Sequence, residues 1–269
     1  MKMKYKLICI DVDGTLLNSH KEIPKENIEA INKAYESGVS IAIASGRGPW
    51  SVKELINEIG VCGYRICLNG AYVIDDDVEI SKSVIDNDKV NTILDVINKY
   101  DVRAFFATST LNITNKNLLM NNLKSVVNQK DFIVSSGSKL KKELEKHNGS
   151  ILKVSIMEEN NEIYKKVRQS FEETGLFQVE KSDVNYLDVN IKGINKSKGV
   201  KELARYLNID LSEVICIGDN ENDIDMIKDC GLGIAMANAC KELIEISDAV
   251  TVSNDECGVA KAIYDYIIN

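Results

Sequence analysis

The run Leu7-Ile8-Cys9-Ile10 is apolar throughout and ends abruptly in Asp11-Val12-Asp13-Gly14-Thr15. A short, continuous apolar run of this kind reads as a strand of the fully buried type. It delivers two carboxylates, two residues apart, to a turn set by glycine and closed by a hydroxyl residue. Side chains alternate along a strand, so positions i and i+2 share a face. Asp11 and Asp13 are therefore expected to look into one site at the strand's C-terminal edge, where open α/β sheets place their ligands. Two like charges this close are costly unless a cation or a shared proton relieves them. That cost points to chemistry.

Strands and helices alternate through the first 80 residues. A helix is expected from Pro24 with Ile28, Ile31 and Tyr35 on one face, stopping at Gly38, a C′ residue. Val39–Ala44 reads as a second buried strand. Val52, Leu55, Ile56 and Ile59 repeat at helical spacing before Gly60, and Arg65–Leu68 reads as a third strand. Val73–Ile80 reads as a hairpin with Asp75, Asp76 and Asp77 in its turn; a calcium loop is disfavoured there because spaced EF-hand ligands are missing. The middle of the chain is richer in Asn, Lys, Ser and Glu. Helices are expected around Val90–Ile97 and Ile163–Phe171, and strands at Val102–Ala107 and Ile151–Ile156. The polar stretch Asn115–Asn122 carries no readable role. Clean alternation returns with strands at Tyr186–Ile191, Val214–Ile217, Leu232–Ala235 and Ala249–Val252, a helix face of Val200, Leu203, Ala204 and Leu207, and a last helix over 258–267. Strands alternating with helices imply a parallel sheet. The expected fold class is α/β: a doubly wound core from both chain ends (1–83 and 189–269) with an α+β module (84–188) inserted.

Composition narrows the partners. The 269 residues are 44% hydrophobic and 28% charged, as in an ordinary globular protein, and the net charge of −8 argues against nucleic acid or an anionic membrane as the main partner. The basic N-terminus precedes only four apolar residues before Asp11, too few for a signal peptide, and no run approaches membrane-spanning length. Seven cysteines, with Cys9, Cys67 and Cys216 inside apolar runs and no repeated Cys-x-x-Cys, read as reduced core residues of a cytoplasmic protein.

Three further segments sit where strands give way to helices. Ser45-Gly46-Arg47 offers a hydroxyl and free backbone N–H groups between a strand and a helix N-terminus, a ready anion site. Asn195-Lys196-Ser197-Lys198-Gly199 places two lysines at a helix start, against the dipole, which hints at an anion between them. Gly218-Asp219-Asn220-Glu221-Asn222-Asp223 follows a buried strand. With Asp11 and Asp13 it supplies the oxygen ligands that Mg²⁺ prefers. The chain has no Cys-x5-Arg loop and no Walker A sequence, and His20 and His147 are isolated.

These four elements, in this order and each at a strand end, resemble the haloacid dehalogenase superfamily of phosphotransferases. The inserted module resembles the type IIB cap, and Asn69-Gly70-Ala71 after the third strand is similar to the Cof-type phosphatases. The resemblance implies a Rossmann-like core and a mobile cap that closes over substrate. It implies Mg²⁺-dependent hydrolysis of small phosphate monoesters, such as sugar phosphates, with no nucleic-acid or membrane partner. Asp11 then matches the nucleophile and Asp13 the acid and base. Thr15, Ser45, Gly46, Arg47, Asn69, Lys196 and Asn222 match positions near the phosphoryl group. Asp11, the Asp13 carbonyl and Asp219 match the metal ligands, with Asp223 in support. The subgroup usually has glycine after the lysine; Ser197 stands there, so Lys198 competes with Lys196, and the spacing of Gly199-Val200 to the helix face favours Lys196. A sugar phosphomutase or a non-catalytic phospholigand-binding protein on the same scaffold are the other readings. Neither the substrate nor the oligomeric state is legible.

Overall fold

The computed structural model describes residues 4–116 and 132–268; of the stretch Asn115–Asn122, only Asn115 and Lys116 lie within the described residues. The chain opens with β1 (Leu7–Ile10), α1 (Lys25–Glu36), β2 (Ser40–Ala44), α2 (Pro49–Ile59), β3 (Tyr64–Cys67), β4 (Tyr72–Asp75) and β5 (Val78–Lys82). All four residues of β1 are buried, as its unbroken apolar run requires. The α2 helix starts with Pro49 at its first position, buries Val52, Leu55, Ile56 and Ile59, and stops at Gly60 in the left-handed conformation. The α1 helix buries Asn27, Ala30, Ile31 and Ala34 rather than the expected Ile28–Ile31–Tyr35 face. Asn27 explains the rotation: its amide donates to the Leu16 carbonyl and accepts the Ala260 N–H, so a polar residue takes the inward position. Asp76 and Asp77 turn the β4–β5 hairpin beside Lys53, whose Nζ lies 3.4 Å from Asp76.

The middle segment folds as α3 (Asn87–Tyr100), β6 (Arg103–Ala107), β7 (Asn112–Thr114), β8 (Phe132–Val134), α4 (Ser138–Lys146), β9 (Lys153–Met157), α5 (Asn161–Thr174), β10 (Phe177–Asp183) and β11 (Tyr186–Ile191). Its strands form a six-stranded sheet in the order β10-β11-β9-β6-β7-β8. Alternate residues of those strands, among them Phe106, Val154, Ile156, Leu187 and Val189, pack with Ile93, Ile97, Val167 and Phe171 of the helices into one core. The strand Tyr186–Ile191, read from sequence as the start of the returning core, belongs to this sheet instead, antiparallel to β9 and β10. Its alternating Asp188 and Asn190 explain why: one face takes apolar neighbours and the other takes Lys153 and Ser155, which bond Asp188 at 2.8 and 2.6 Å.

The last segment supplies α6 (Lys196–Tyr206), β12 (Val214–Gly218), α7 (Ile224–Asp229), β13 (Leu232–Ala235), α8 (Lys241–Ile246), β14 (Ala249–Val250) and α9 (Gly258–Ile263), extended by a wider turn through Ile268. The chain divides into two compact units, Met1–Lys82 with Ile194–Asn269, and Ser83–Gly193. In the first, eight strands run β14-β13-β12-β1-β2-β3-β4-β5, the first six parallel. The fold is α/β, with a Rossmann-like core and an inserted module. From β1 the chain passes to β2 on one side and returns through β12 on the other, which makes the C-terminal end of β1 a topological switch point. All seven cysteines are free, but only Cys9, Cys67 and Cys216, those inside apolar runs, are core residues; Cys62 is exposed and Cys230, Cys240 and Cys257 are partly buried. No helix among the described residues is long and apolar enough to cross a membrane.

Candidate active site at the sheet edge

The Asp11 N–H continues the β1–β12 ladder by donating to the Ile217 carbonyl at 3.0 Å, and the chain then turns. Gly14 takes φ +87°, and a Cβ there would sit 2.3 Å from Asp219 Oδ2. Only glycine admits both the backbone and the approach. The turn breaks the strand alternation after Ile10, so the two carboxylates do not share one environment as i and i+2 positions would. Asp11 is buried against Lys196, whose Nζ lies 2.5 Å from Asp11 Oδ1 and 2.6 Å from Asp223 Oδ1. Asp13 faces Arg47, which donates from Nε and Nη2 to its two oxygens at 2.8 Å each, and Lys21, at 3.1 Å.

Lys196 is fully buried at the first turn of α6, where Asn195 caps the helix by accepting the Lys198 N–H. Lys198 turns outward to Glu202 at 2.7 Å. The structure thus brings Lys196, not Lys198, to Asp11. The anion that the two lysines hinted at is supplied by the protein's own carboxylates. Ser197 is held by Asp229, and the Asn195 amide by Asp225.

Asp223 organises the loop after β12. Its Oδ2 accepts the N–H groups of Asp219 and Asn220 at 3.0 and 3.1 Å while Oδ1 holds Lys196. Gly218 makes room, because a Cβ there would meet Asp223 Cβ at 2.6 Å. Thr15 Oγ1 donates to Asp219 Oδ1 at 2.8 Å, so this residue, matched in sequence to the phosphoryl site, holds the Asp219 carboxylate instead. The third strand end adds a second chain of contacts. Asn69 N–H donates to the Ser45 carbonyl at 3.0 Å, and Asn69 Oδ1 accepts from Asn222 Nδ2 at 3.3 Å. Ser45 Oγ accepts the Arg47 N–H at 3.1 Å across Gly46. Leu68 and Asn69 both adopt left-handed backbone, at φ 54° and 55°. Non-glycine residues held this way cost about 1–3 kcal/mol each and cluster at functional sites. Asn69 was singled out by the resemblance, whereas nothing in the sequence marked Leu68 or Lys21.

Asp11, Asp219 and Asp223 bring carboxylate oxygens within 4.8 Å of one another; the Asp13 carboxylate stands outside this group. Burial first, then Asp223, pushes Asp11 up to about 6 against the opposing pull of Lys196. Burial, then Asp11 and Asp223, pushes Asp219 up to about 9. Burial also works to raise Asp13, but the bond and charge of Arg47, aided by Lys21, outweigh it and hold the group below the usual carboxylate range. Burial would lower the Lys196 ammonium, yet Asp11 and Asp223 carry it above its ordinary value. Three acids sharing one lysine leave excess negative charge in a buried place, a donor set of hard oxygens suited to a divalent cation.

A model of the haloacid dehalogenase-like hydrolases matches residues 8–263, which takes in every segment of this site. The chain belongs to that family. It is 29% identical over 264 residues to the 5-amino-6-(5-phospho-D-ribitylamino)uracil phosphatase YcsE of Bacillus subtilis, covering 98% of this chain and 96% of that protein. It is 31% identical over 283 residues to the putative phosphatase YxeH of the same organism, covering 98% and 99%. Among solved structures, a sugar phosphatase of HAD subclass IIB superposes with a TM-score of 0.84 at 26% identity, covering 98% of this chain and all of the other. The Cof-type resemblance read from the motifs is thereby supported, and the chain is an enzyme of the phosphatase class.

Proposed function

We propose that this hydrolase cleaves small phosphate monoesters in a Mg²⁺-dependent reaction through an aspartyl phosphate on Asp11. The observation that carries the reading is the buried Asp11 carboxylate, paired with Lys196 and grouped with Asp219 and Asp223 at the switch point of the sheet. Asp11, Asp219 and Asp223 would hold the ion, together with the Asp13 carbonyl. Bound there, Mg²⁺ supplies positive charge that offsets the repulsion between a phosphate dianion and a carboxylate nucleophile.

The chain's own groups do the rest. An Asp11 oxygen bonds to phosphorus as the ester P–O bond breaks. Asp13, held low by Arg47 in the free protein, takes up a proton when the phosphate dianion arrives beside it and raises it, and passes that proton to the leaving oxygen. A water then gives its proton to Asp13 while its oxygen attacks phosphorus, freeing the Asp11 carboxylate and inorganic phosphate. Lys196 and the Ser45–Gly46 turn hold the equatorial phosphoryl oxygens as charge redistributes. The inserted unit is read as the cap of this family. Seven free thiols suit a reducing, cytoplasmic setting.

A phosphate-release screen over phosphorylated sugars and related metabolites tests the reading. Release should require Mg²⁺ and vanish in EDTA; a panel with no Mg²⁺-dependent release rejects it. Metal binding should also show in stability. An acid raised in the folded state favours folding while protonated, so the raised Asp219 makes metal-free stability fall as pH climbs from the ordinary carboxylate value toward about 9. Mg²⁺ competes with that proton, so the rise in Tm on adding Mg²⁺ should grow between about pH 6 and pH 8.5. Thermal scans in EDTA and in Mg²⁺ measure this, and an increment that shrinks with pH contradicts it.

A further inference from the structure

Arg47 stands in the Ser45-Gly46-Arg47 turn, where the motif suggested a phosphoryl ligand, but its guanidinium is turned to a neighbouring acid. Nε and Nη2 each donate to a different oxygen of Asp13 at 2.8 Å, a fork-to-fork pair with a side chain only 23% exposed. The backbone beneath it is fixed on both sides: its N–H donates to Ser45 Oγ, and its carbonyl accepts the Leu68 N–H at 3.1 Å. A bidentate guanidinium sets both the position and the plane of a carboxylate, which a lysine ammonium does not. Lys21 reaches the same Asp13 from the loop after β1, but with 65% of its side chain exposed it does not impose an angle.

We propose that Arg47 acts on the reaction through Asp13, as a positioning residue that fixes where the proton donor is presented, and not as a ligand of the phosphoryl group. This rests on the reading of Asp13 as acid and base. Its consequence depends on the leaving group. An alkoxide must be protonated as it departs, whereas p-nitrophenolate is stable as the anion and leaves without help. The ratio kcat/KM reads only the steps through the first P–O cleavage, so it isolates Asp13 as acid from its later service as base.

The experiment compares wild type, Arg47→Lys and Arg47→Ala in Mg²⁺ on p-nitrophenyl phosphate and on the alkyl phosphate that the panel shows is turned over fastest. Both variants should lose about 100-fold or more in kcat/KM on the alkyl ester and less than about 5-fold on the aryl ester, the range assigned to a misplaced general acid. Inhibition by orthophosphate should keep its Ki within about 2-fold, because a positioning residue makes no uniform-binding contact with the phosphoryl group. Equal losses on the two esters, or an orthophosphate Ki raised about 10-fold, overturn the proposal and return Arg47 to the phosphoryl group. Arg47→Lys keeps the charge, so a loss in it that matches Arg47→Ala separates geometry from electrostatics. Wild-type protein inactive on both esters would instead remove the proposed function itself.

Discussion

Replacing Asp11 with asparagine should lower Mg²⁺-dependent phosphate release by about four orders of magnitude, the scale seen when a covalent nucleophile is lost. The swap is isosteric, and the amide oxygen can still accept the Lys196 hydrogen bond, 2.5 Å long in the wild type. What disappears is the ability to form an acyl phosphate. One negative charge also leaves a group of three carboxylates that share a single buried lysine. The Asp11→Asn protein should therefore be at least as stable as wild type in EDTA. Phosphate release and a thermal scan on the same preparation check both halves. Turnover equal to wild type removes Asp11 as nucleophile.

Lys196→Met should be the most damaging single change to the metal-free protein. The methionine roughly fills the space but leaves the buried carboxylates of Asp11 and Asp223 without their cation. Breaking a buried ion pair from one side costs about 3–5 kcal/mol. Denaturant midpoints in EDTA should show that loss, and Mg²⁺ should restore part of it by supplying charge to the same acids. Lys198→Met is the matched control. Its side chain is 42% exposed beside Glu202, and such a pair is worth about 0–1 kcal/mol. If Lys196→Met is as stable as Lys198→Met in EDTA, the buried lysine is not what balances the cluster.

Much of the core was legible because its strands are apolar on both faces and its helices declare their inner side, as Val52, Leu55, Ile56 and Ile59 do. The first helix was misread by one face. Alanines at 30 and 34 carry little periodic signal, and a buried Asn27 is explained only by partners at Leu16 and Ala260. Tyr186–Ile191 was recognised as a strand but given to the wrong sheet, since strand pairing is a long-range fact that local pattern does not contain. At the site, residue types and strand ends could be read, and partners could not. That Arg47 grips Asp13, and that Thr15 grips Asp219, depends on how a seven-residue turn bends away from its strand. The Asn195 cap fixes the first turn of its helix, and with it brings Lys196 rather than Lys198 to Asp11.

The first strand has an order of events written into its neighbours. On the ribosome, Leu7–Ile10 finds Ser40–Ala44 early, but its other edge waits for Val214–Gly218, and Thr15 waits across 204 positions for Asp219. Until then a greasy strand carries a row of open backbone groups, the template for sticking to another nascent chain. Closing the long gap costs little at equilibrium, because loop entropy rises only with the logarithm of length, but it slows assembly. Translation that stalls before residue 214 should therefore release a chain that chaperones hold rather than one whose acids have met at the sheet edge.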